Sequence, residues 1–255
     1  MTFSLCTDIF FYGQPKEPLL KKIKTIGFDA IEFWGLSETD EDMLSTELKR
    51  NGLTLAAFLA SERDFVDKSK HEAIINGLRA NIKSAKRLGC KRLITTVGQS
   101  LEEVPDEEQT NSIIAGLRLA APYLEEADIT LVVEPLNVLV NHPGYFLSRS
   151  DAAFEIIRAV NSPNVKLLFD IYHQQVTEGN LIENITKSIS LIGHFHIADV
   201  PGRHEPGSGE INWRNVLCAI KSSGYEGYLG LEYAPSYDGF ESMGDVLKLL
   251  KSDMD

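Results

Sequence analysis

CTDIFFYGQPKEP, residues 6–18, joins the first strand-like run of the chain to the first helix-like run, and its glycine content decides between two folds. An open doubly wound sheet that binds a dinucleotide carries G-x-G-x-x-G at this turn, because glycines let the backbone approach a pyrophosphate at a helix N-terminus. This stretch has the single glycine Gly13, and no G-x-x-x-x-G-K-[ST] occurs anywhere in the chain. The surrounding pattern then points to the other fold. FSLCTD (3–8) leads into the stretch, and seven further β-branched or aromatic runs follow: AIEFW (30–34), LTLAAFL (53–59), RLITTV (92–97), TLVVEPL (130–136), VKLLFDI (165–171), IGHFHIAD (192–199) and YLGLEYA (228–234). Segments of helical period separate them, as when parallel strands are joined by crossover helices. Eight such rounds in 255 residues match the length of a (β/α)8 barrel. No Pro/Gly/Ser-rich linker interrupts the chain, so residues 1–255 are expected to form one α/β domain, a TIM barrel.

Several helices carry their own punctuation. Thr39-Asp40-Glu41-Asp42 supplies capping and acidic residues for one start, Asn51-Gly52 closes the same helix, Ser150-Asp151 opens another, and Gly89 and Gly224 follow the ends of two more. Pro122, inside the apolar pattern from Ile113 to Ala127, is expected to kink or split its helix.

Charge and composition remove whole classes of function. A net charge of −12 argues against gripping nucleic acid or an anionic membrane, since either needs a net basic face. MTFSLCTDIFFYGQP lacks a basic n-region and a long apolar core, and no stretch approaches a membrane span, so the cytoplasm is the expected compartment. Cys6, Cys90 and Cys218 are odd in number and far apart, with no C-x-x-C pair, and read as buried small hydrophobes.

A barrel of this kind places its chemistry at the carboxyl ends of its strands. Glu134 ends the fifth run, Asp170 ends the sixth, His196 lies late in the seventh and Glu232 late in the eighth. One acidic residue at a strand end is commonly a cap or an ion-pair partner; four ligand-type side chains on four successive strands converge on a point. Three carboxylates confined there without a cation would repel one another at low dielectric. The donor set is hard and oxygen-rich, suited to Mn²⁺, Mg²⁺ or Co²⁺ rather than to a thiolate-bound zinc. Residues two apart on a strand share a face, so His194 also points into the barrel, a layer deeper, as a hydrogen-bonded core histidine, while Phe195 faces the helices.

VVEPLNVLVNHPGYFL (132–147), KLLFDIYHQQVTEGN (166–180), IGHFHIADVPGRHEPGSGEIN (192–212) and YLGLEYAPS (228–236) together resemble the hydroxypyruvate isomerase family, within the xylose isomerase-like (AP endonuclease family 2) TIM-barrel superfamily. EFWG (32–35) and LGCKRLI (88–94) extend the likeness weakly toward the amino terminus. The resemblance implies a divalent-metal site at Glu134, Asp170, His196 and Glu232, with Glu134 and Glu232 also serving as the acid/base pair. It implies a metal-dependent aldose–ketose type isomerase that moves a proton between adjacent carbons through a metal-stabilised enediolate. The substrate would be a small 2-keto hydroxy acid, with hydroxypyruvate giving tartronate semialdehyde. Resembling enzymes place substrate contacts at His173 and Arg203, and a guanidinium suits a planar carboxylate. Asn137 either reaches substrate or caps its loop.

Other loop residues are read more plainly. His142 touches substrate or sits in a surface loop, His204 and Glu205 form a lid or a solvated charged loop, PGSGE is flexible loop geometry rather than a phosphate cradle, and His71 is exposed at a helix start. Tyr145 and Phe146 either face a partner subunit, in a homodimer or homotetramer, or close the pocket. Among neighbouring functions, ketose 3-epimerases typically show E-P-x-N-R-[FY]-E, where this chain has Val138, Leu139 and Val140 after Asn137. A 2-oxo-tetronate isomerase and a sugar dehydratase stay open. A non-catalytic sugar-binding barrel would have no use for both glutamates. A DNA-repair barrel would want histidines on earlier strands and a basic groove, and this chain has one histidine before His142.

Overall fold

The computed structural model describes residues 1–253 apart from Tyr12, Pro15 and Glu38, with Lys16 and Glu17 described by their backbone. The strands are β1 (Thr2–Cys6), β2 (Ala30–Phe33), β3 (Thr54–Leu59), β4 (Arg92–Thr95), β5 (Thr130–Val133), β6 (Val165–Asp170), β7 (Ile192–Ile197) and β8 (Tyr228–Leu231). They pair in parallel, each with its sequence neighbours, and β8 closes on β1. Around them run α1 (Thr7–Phe11), α2 (Lys16–Ile26), α3 (Glu41–Asn51), α4 (His71–Leu88), α5 (Asp106–Ala127), α6 (Ser150–Val160), α7 (Ile171–Thr177), α8 (Leu181–Ser188), α9 (Trp213–Ser222) and α10 (Gly239–Asp253). The expected (β/α)8 barrel is the fold. No described helix is long and apolar enough to cross a membrane.

All eight expected strands form, but most end sooner than the β-prone runs suggest. Thr7 and Asp8 already belong to α1, and Thr96, Leu136 and Tyr233 lie beyond the last residue of their strands. At the carboxyl rim the strands part to let the loops turn outward, so β-prone residues there line a pocket or pack under a loop.

Helix punctuation works largely as written. The Asp40 side chain accepts the N–H groups of Asp42 and Met43, and Gly52 and Gly89 close α3 and α4 with φ of 61° and 70°. Pro122 neither splits nor interrupts α5, which runs unbroken from Asp106 to Ala127. The proline and Arg118, whose carbonyl loses its partner, both lie on the exposed face, where water can take that carbonyl. Two expectations about burial fail. Cys218 is exposed, although Cys6 and Cys90 are buried. His71 is buried, with Nε2 at 3.2 Å from the Phe65 carbonyl and 3.1 Å from Ser112 Oγ, because α4 starts beneath the β3 loop rather than in solvent.

The barrel interior is divided into halves. Ala57, Ile94, Val132 and Leu168, one each from β3 to β6, form a separate apolar cluster inside the barrel. The facing half, from β7 through β8 and β1 to β2, brings His194 and Ser4 against Glu32 beside Gly230. The functional groups stand above this asymmetric floor.

Candidate metal centre

Asp170 and His196 are paired across the β6–β7 ladder, so their side chains leave the barrel wall side by side. Glu134 and Glu232 stand one residue beyond β5 and β8, and the ladder continues under them: Glu134 N–H donates to the Thr95 carbonyl at 2.9 Å and Glu232 N–H to the Ile197 carbonyl at 3.2 Å. One ligand atom from each of the four lies within 4.8 Å of every other, and all four residues are buried. Sequence periodicity thus places the whole expected ligand set at one point on the carboxyl rim.

The electrostatics of the group are uneven. Burial, reinforced by Glu232 and Asp170, pushes the Glu134 carboxyl up to about 7 despite the nearby His196. Burial also works against an ionised Glu232, but the charges of His196 and Arg203 outweigh it and hold this carboxyl well below its ordinary range. Against the cost of its own burial, His196 is held charged well above its usual range by Glu232, Glu134 and Glu32.

The buried donors fit a divalent cation. Glu134 Oε1 and His196 Nδ1 are buried without a hydrogen-bond partner, although Nδ1 lies 3.1 Å from Glu232 Oε2 and 3.6 Å from Glu134 Oε1. Two unpartnered polar atoms beside two further carboxylates make an oxygen-rich cradle, the donor chemistry that Mn²⁺ and Mg²⁺ take.

A cavity of about 310 Å³ opens over these groups, and its lining combines apolar Trp34, Leu59, Ile94 and Leu136 with Glu134, His142, His173, His196, Arg203 and Glu232. That volume sits at the small end of the roughly 300–1,000 Å³ common for ligand sites. Nδ1 of His173 accepts from the Asn137 backbone N–H at 3.2 Å and lies 2.6 Å from Asn137 Nδ2. The proton therefore sits on Nε2, which is buried, 3.5 Å from Asp170 Oδ2, and has no hydrogen-bond partner. Burial depresses His173 to about 4, so it offers the cavity a neutral N–H donor. Asn137 itself is engaged with its loop: Oδ1 accepts from Val140 and Asn141 N–H groups and Nδ2 donates to Asn141 Oδ1. Its place is behind His173, which it orients.

Arg203 lies in the cavity wall at φ 58°, stacked over Tyr172 at 5.4 Å, and its Nη2 reaches Glu232 Oε2 as well as Asp170 Oδ2 at 3.3 Å. It is therefore tied to two of the ligand carboxylates while its Nε stays without a partner. His142 faces the cavity and is only partly buried. His204 and Glu205 form neither a lid nor a solvated loop. His204 Nδ1 contacts the Ala234 carbonyl at 2.8 Å, and buried Glu205 accepts from Ser236 N–H and Oγ and from Ser242 Oγ, tying the β7 loop to the end of β8. Tyr145 is a buried brace, its hydroxyl donating to the Glu134 carbonyl and accepting the Val97 N–H.

Four contributors escaped the sequence reading. Trp34 Nε1–H donates to Glu232 Oε1, the Cys6 thiol lies 3.6 Å from the same oxygen, Glu32 contacts His196 from below, and Asp199 gathers the loop that carries Arg203. Trp34 and Glu32 both lie in EFWG, a segment whose likeness to relatives was the available signal.

A model of the family described as xylose isomerase-like TIM barrel matches residues 20–252. Hydroxypyruvate isomerase of Escherichia coli (strain K12) is 33% identical, over 84% of this chain and 86% of its own length. The 2-oxo-tetronate isomerase of Cupriavidus necator is 32% identical, over 82% of this chain and 83% of its own length. Among solved structures, an AP endonuclease of family 2 from Brucella melitensis superposes with a TM-score of 0.91 at 28% identity, covering 97% of this chain and 99% of that one.

Proposed function

The chain belongs to the xylose isomerase-like TIM barrel family, and from that premise we propose that it is an isomerase of a small 2-keto hydroxy acid, converting hydroxypyruvate to tartronate semialdehyde. The observation that carries the reading is the convergence of Glu134, Asp170, His196 and Glu232 within 4.8 Å beneath a cavity of about 310 Å³. Glu134, Asp170, His196 and Glu232 would hold a divalent cation, Mn²⁺, Mg²⁺ or Co²⁺, which when bound polarises the keto and hydroxyl oxygens and offsets the charge of an enediolate.

The chain's own groups account for the rest. A carboxylate at Glu134 or Glu232 takes a C–H proton from the hydroxymethyl carbon, and a proton is returned to the former keto carbon while the hydroxyl proton passes between the two oxygens; nothing is oxidised or reduced overall. Glu134 and Glu232 come from β5 and β8 and both border the cavity, so either can reach the reacting carbons of a bound keto acid. Arg203 and the Nε2–H of His173 face the same cavity and suit the substrate carboxylate and an oxygen of the reacting pair. With a net charge of −12 working against an anion at long range, these local donors carry its capture. The same charge counts against DNA as substrate. The reading includes a cytoplasmic setting.

The similarity to a 2-oxo-tetronate isomerase supports a second substrate of the same chemical class, one carbon longer. One experiment tests both. The protein is stripped with chelator, reloaded with Mn²⁺ or Mg²⁺, and assayed for deuterium incorporation at the carbinol carbon of hydroxypyruvate, 2-oxo-tetronates and free ketoses. Exchange confined to the keto acids, lost in Glu134→Gln and Glu232→Gln, is expected. No exchange with any substrate, or variants that behave like the parent, would end the isomerase reading.

A further inference from the structure

Beneath the metal centre, Glu32 extends from β2 into the barrel and meets three donors carried by two other strands. His194 Nε2 lies 3.0 Å from each of its oxygens, His196 Nε2 lies 3.0 Å from Oε2, and Ser4 Oγ donates to Oε1. The residue is fully buried. A carboxylate buried this deeply needs hydrogen-bond donors around it, and Ser4, His194 and His196 supply them. The contact spans the barrel interior, since β1 and β8 stand between β2 and β7 in the sheet.

The strand between them is shaped for the contact. Gly230 of β8 pairs with His196 across the ladder, and a Cβ there would come within 2.6 Å of Glu32 Oε1 and 2.7 Å of His196 Cδ2. Any side chain at this position would fill the space in which carboxylate and imidazole meet. His196 thus has two differently committed nitrogens: Nε2 is bound to Glu32, while Nδ1 is buried without a hydrogen-bond partner beside Glu134 and Glu232.

Resting on the metal centre of the proposed function, we propose that Glu32 is the positioning residue of that centre, accepting Nε2–H of His196 so that Nδ1 carries the lone pair and faces the cation. Histidines that bind metals are oriented in this way by a hydrogen bond at the other ring nitrogen, and loss of that partner typically weakens binding about 10- to 100-fold. His194 and Ser4 in turn fix Glu32, and Gly230 keeps the passage open.

The test measures Mn²⁺ binding by electron paramagnetic resonance on parent, Glu32→Gln and Gly230→Ala, with circular dichroism to confirm that each is folded. Glu32→Gln presents an amide that can donate to Nε2 and so favours the wrong tautomer; its Mn²⁺ affinity is expected to fall about 10- to 100-fold. Gly230→Ala removes no polar group and is expected to fall in the same direction. In parallel, ¹⁵N-histidine spectra of the Mg²⁺-loaded parent should show His196 protonated at Nε2. That spectrum needs no variant and decides the matter even if Glu32→Gln does not fold. The proposal is overturned if folded Glu32→Gln binds Mn²⁺ as the parent does, or if the loaded parent carries the His196 proton on Nδ1. A parent that binds neither Mn²⁺ nor Mg²⁺ would instead remove the metal centre itself, a different failure from a centre that binds and ignores Glu32.

Discussion

Asp199 supports the active site without touching the cavity, and Asp199→Asn measures how much of the site depends on that support. Its carboxylate is fully buried and receives four donors: Val200 N–H at 2.8 Å and Ile211 N–H at 3.2 Å on Oδ1, Gly207 N–H at 2.7 Å and Trp213 Nε1–H at 2.9 Å on Oδ2. The ends of residues 200–211 are thereby folded back on β7, and Arg203 is carried between them. An asparagine keeps one oxygen and turns the other into a donor, so whichever way it is placed two N–H groups lose their acceptor. One of each pair belongs to a buried residue, Ile211 or Trp213, and a buried unpaired donor costs about 1–3 kcal/mol, to which the loss of charge on the remaining bonds adds. A destabilisation of about 2–4 kcal/mol follows. With a urea slope near 3 kcal/mol/M for a chain of this size, the midpoint should fall by about 1 M with the slope unchanged. Because Arg203 moves with the loop, KM for a keto acid should rise more than kcat falls. A variant with the parent's midpoint would show that the four contacts contribute nothing net to stability. A lowered midpoint with unchanged KM would show that Arg203 is held by other means.

Three further outcomes can be measured. Glu134 raised to about 7 stabilises the cation-free fold below its unfolded value of about 4.5, a contribution lost as pH rises through 7. Cation binding displaces protons from Glu134 and His196, so calorimetry in buffers of different ionisation enthalpy should find protons released, more of them below pH 7 than above it. Arg203→Met should raise KM for hydroxypyruvate by roughly 10- to 150-fold, the equivalent of one charged hydrogen bond of about 1.5–3 kcal/mol, while Mn²⁺ binding persists. His71→Ala, which strips buried contacts to Phe65 and Ser112 far from the cavity lining, should lower the urea midpoint by about 2 kcal/mol equivalent and leave kcat as it was.

The barrel and its four candidate ligands were legible for the same reason. Strands of a closed parallel barrel are buried on both sides, so they stand out as apolar runs, and the only polar residues tolerated late in such a run are those that face the mouth. Glu134, Asp170, His196 and Glu232 broke the apolar pattern at matching places in four consecutive strands, and local sequence was enough to align them. His173 and Arg203 were reached through likeness to relatives, because a loop residue has no periodicity to betray its direction. Three misplaced residues share a different cause. His71, Glu205 and Tyr145 were read as surface or rim groups from their polar or loop surroundings, yet each is buried by a segment distant in sequence: Ser112 for His71, Ser236 and Ser242 for Glu205, Val97 for Tyr145.

Glu32 shows where local reading ends. In AIEFW it is one acidic residue in a strand, no different in kind from Glu134, and alternation places it inward with nothing to say what it meets. Its meaning depends on facts spread over the barrel: β3 to β6 fill their side of the floor with Ala57, Ile94, Val132 and Leu168, while β8 contributes Gly230 and β1 contributes Ser4. A side chain at 230 would press on Glu32 Oε1 and on the His196 ring, where the two now meet. The polar half of the floor thus holds His196 with its other nitrogen, Nδ1, beside Glu134 and Glu232. If that is its purpose, Glu32 and Gly230 should matter to cation affinity in proportion to how far they displace His196, and the apolar half of the floor should tolerate repacking of Ala57 or Ile94 with far smaller effects on Mn²⁺ binding than on stability.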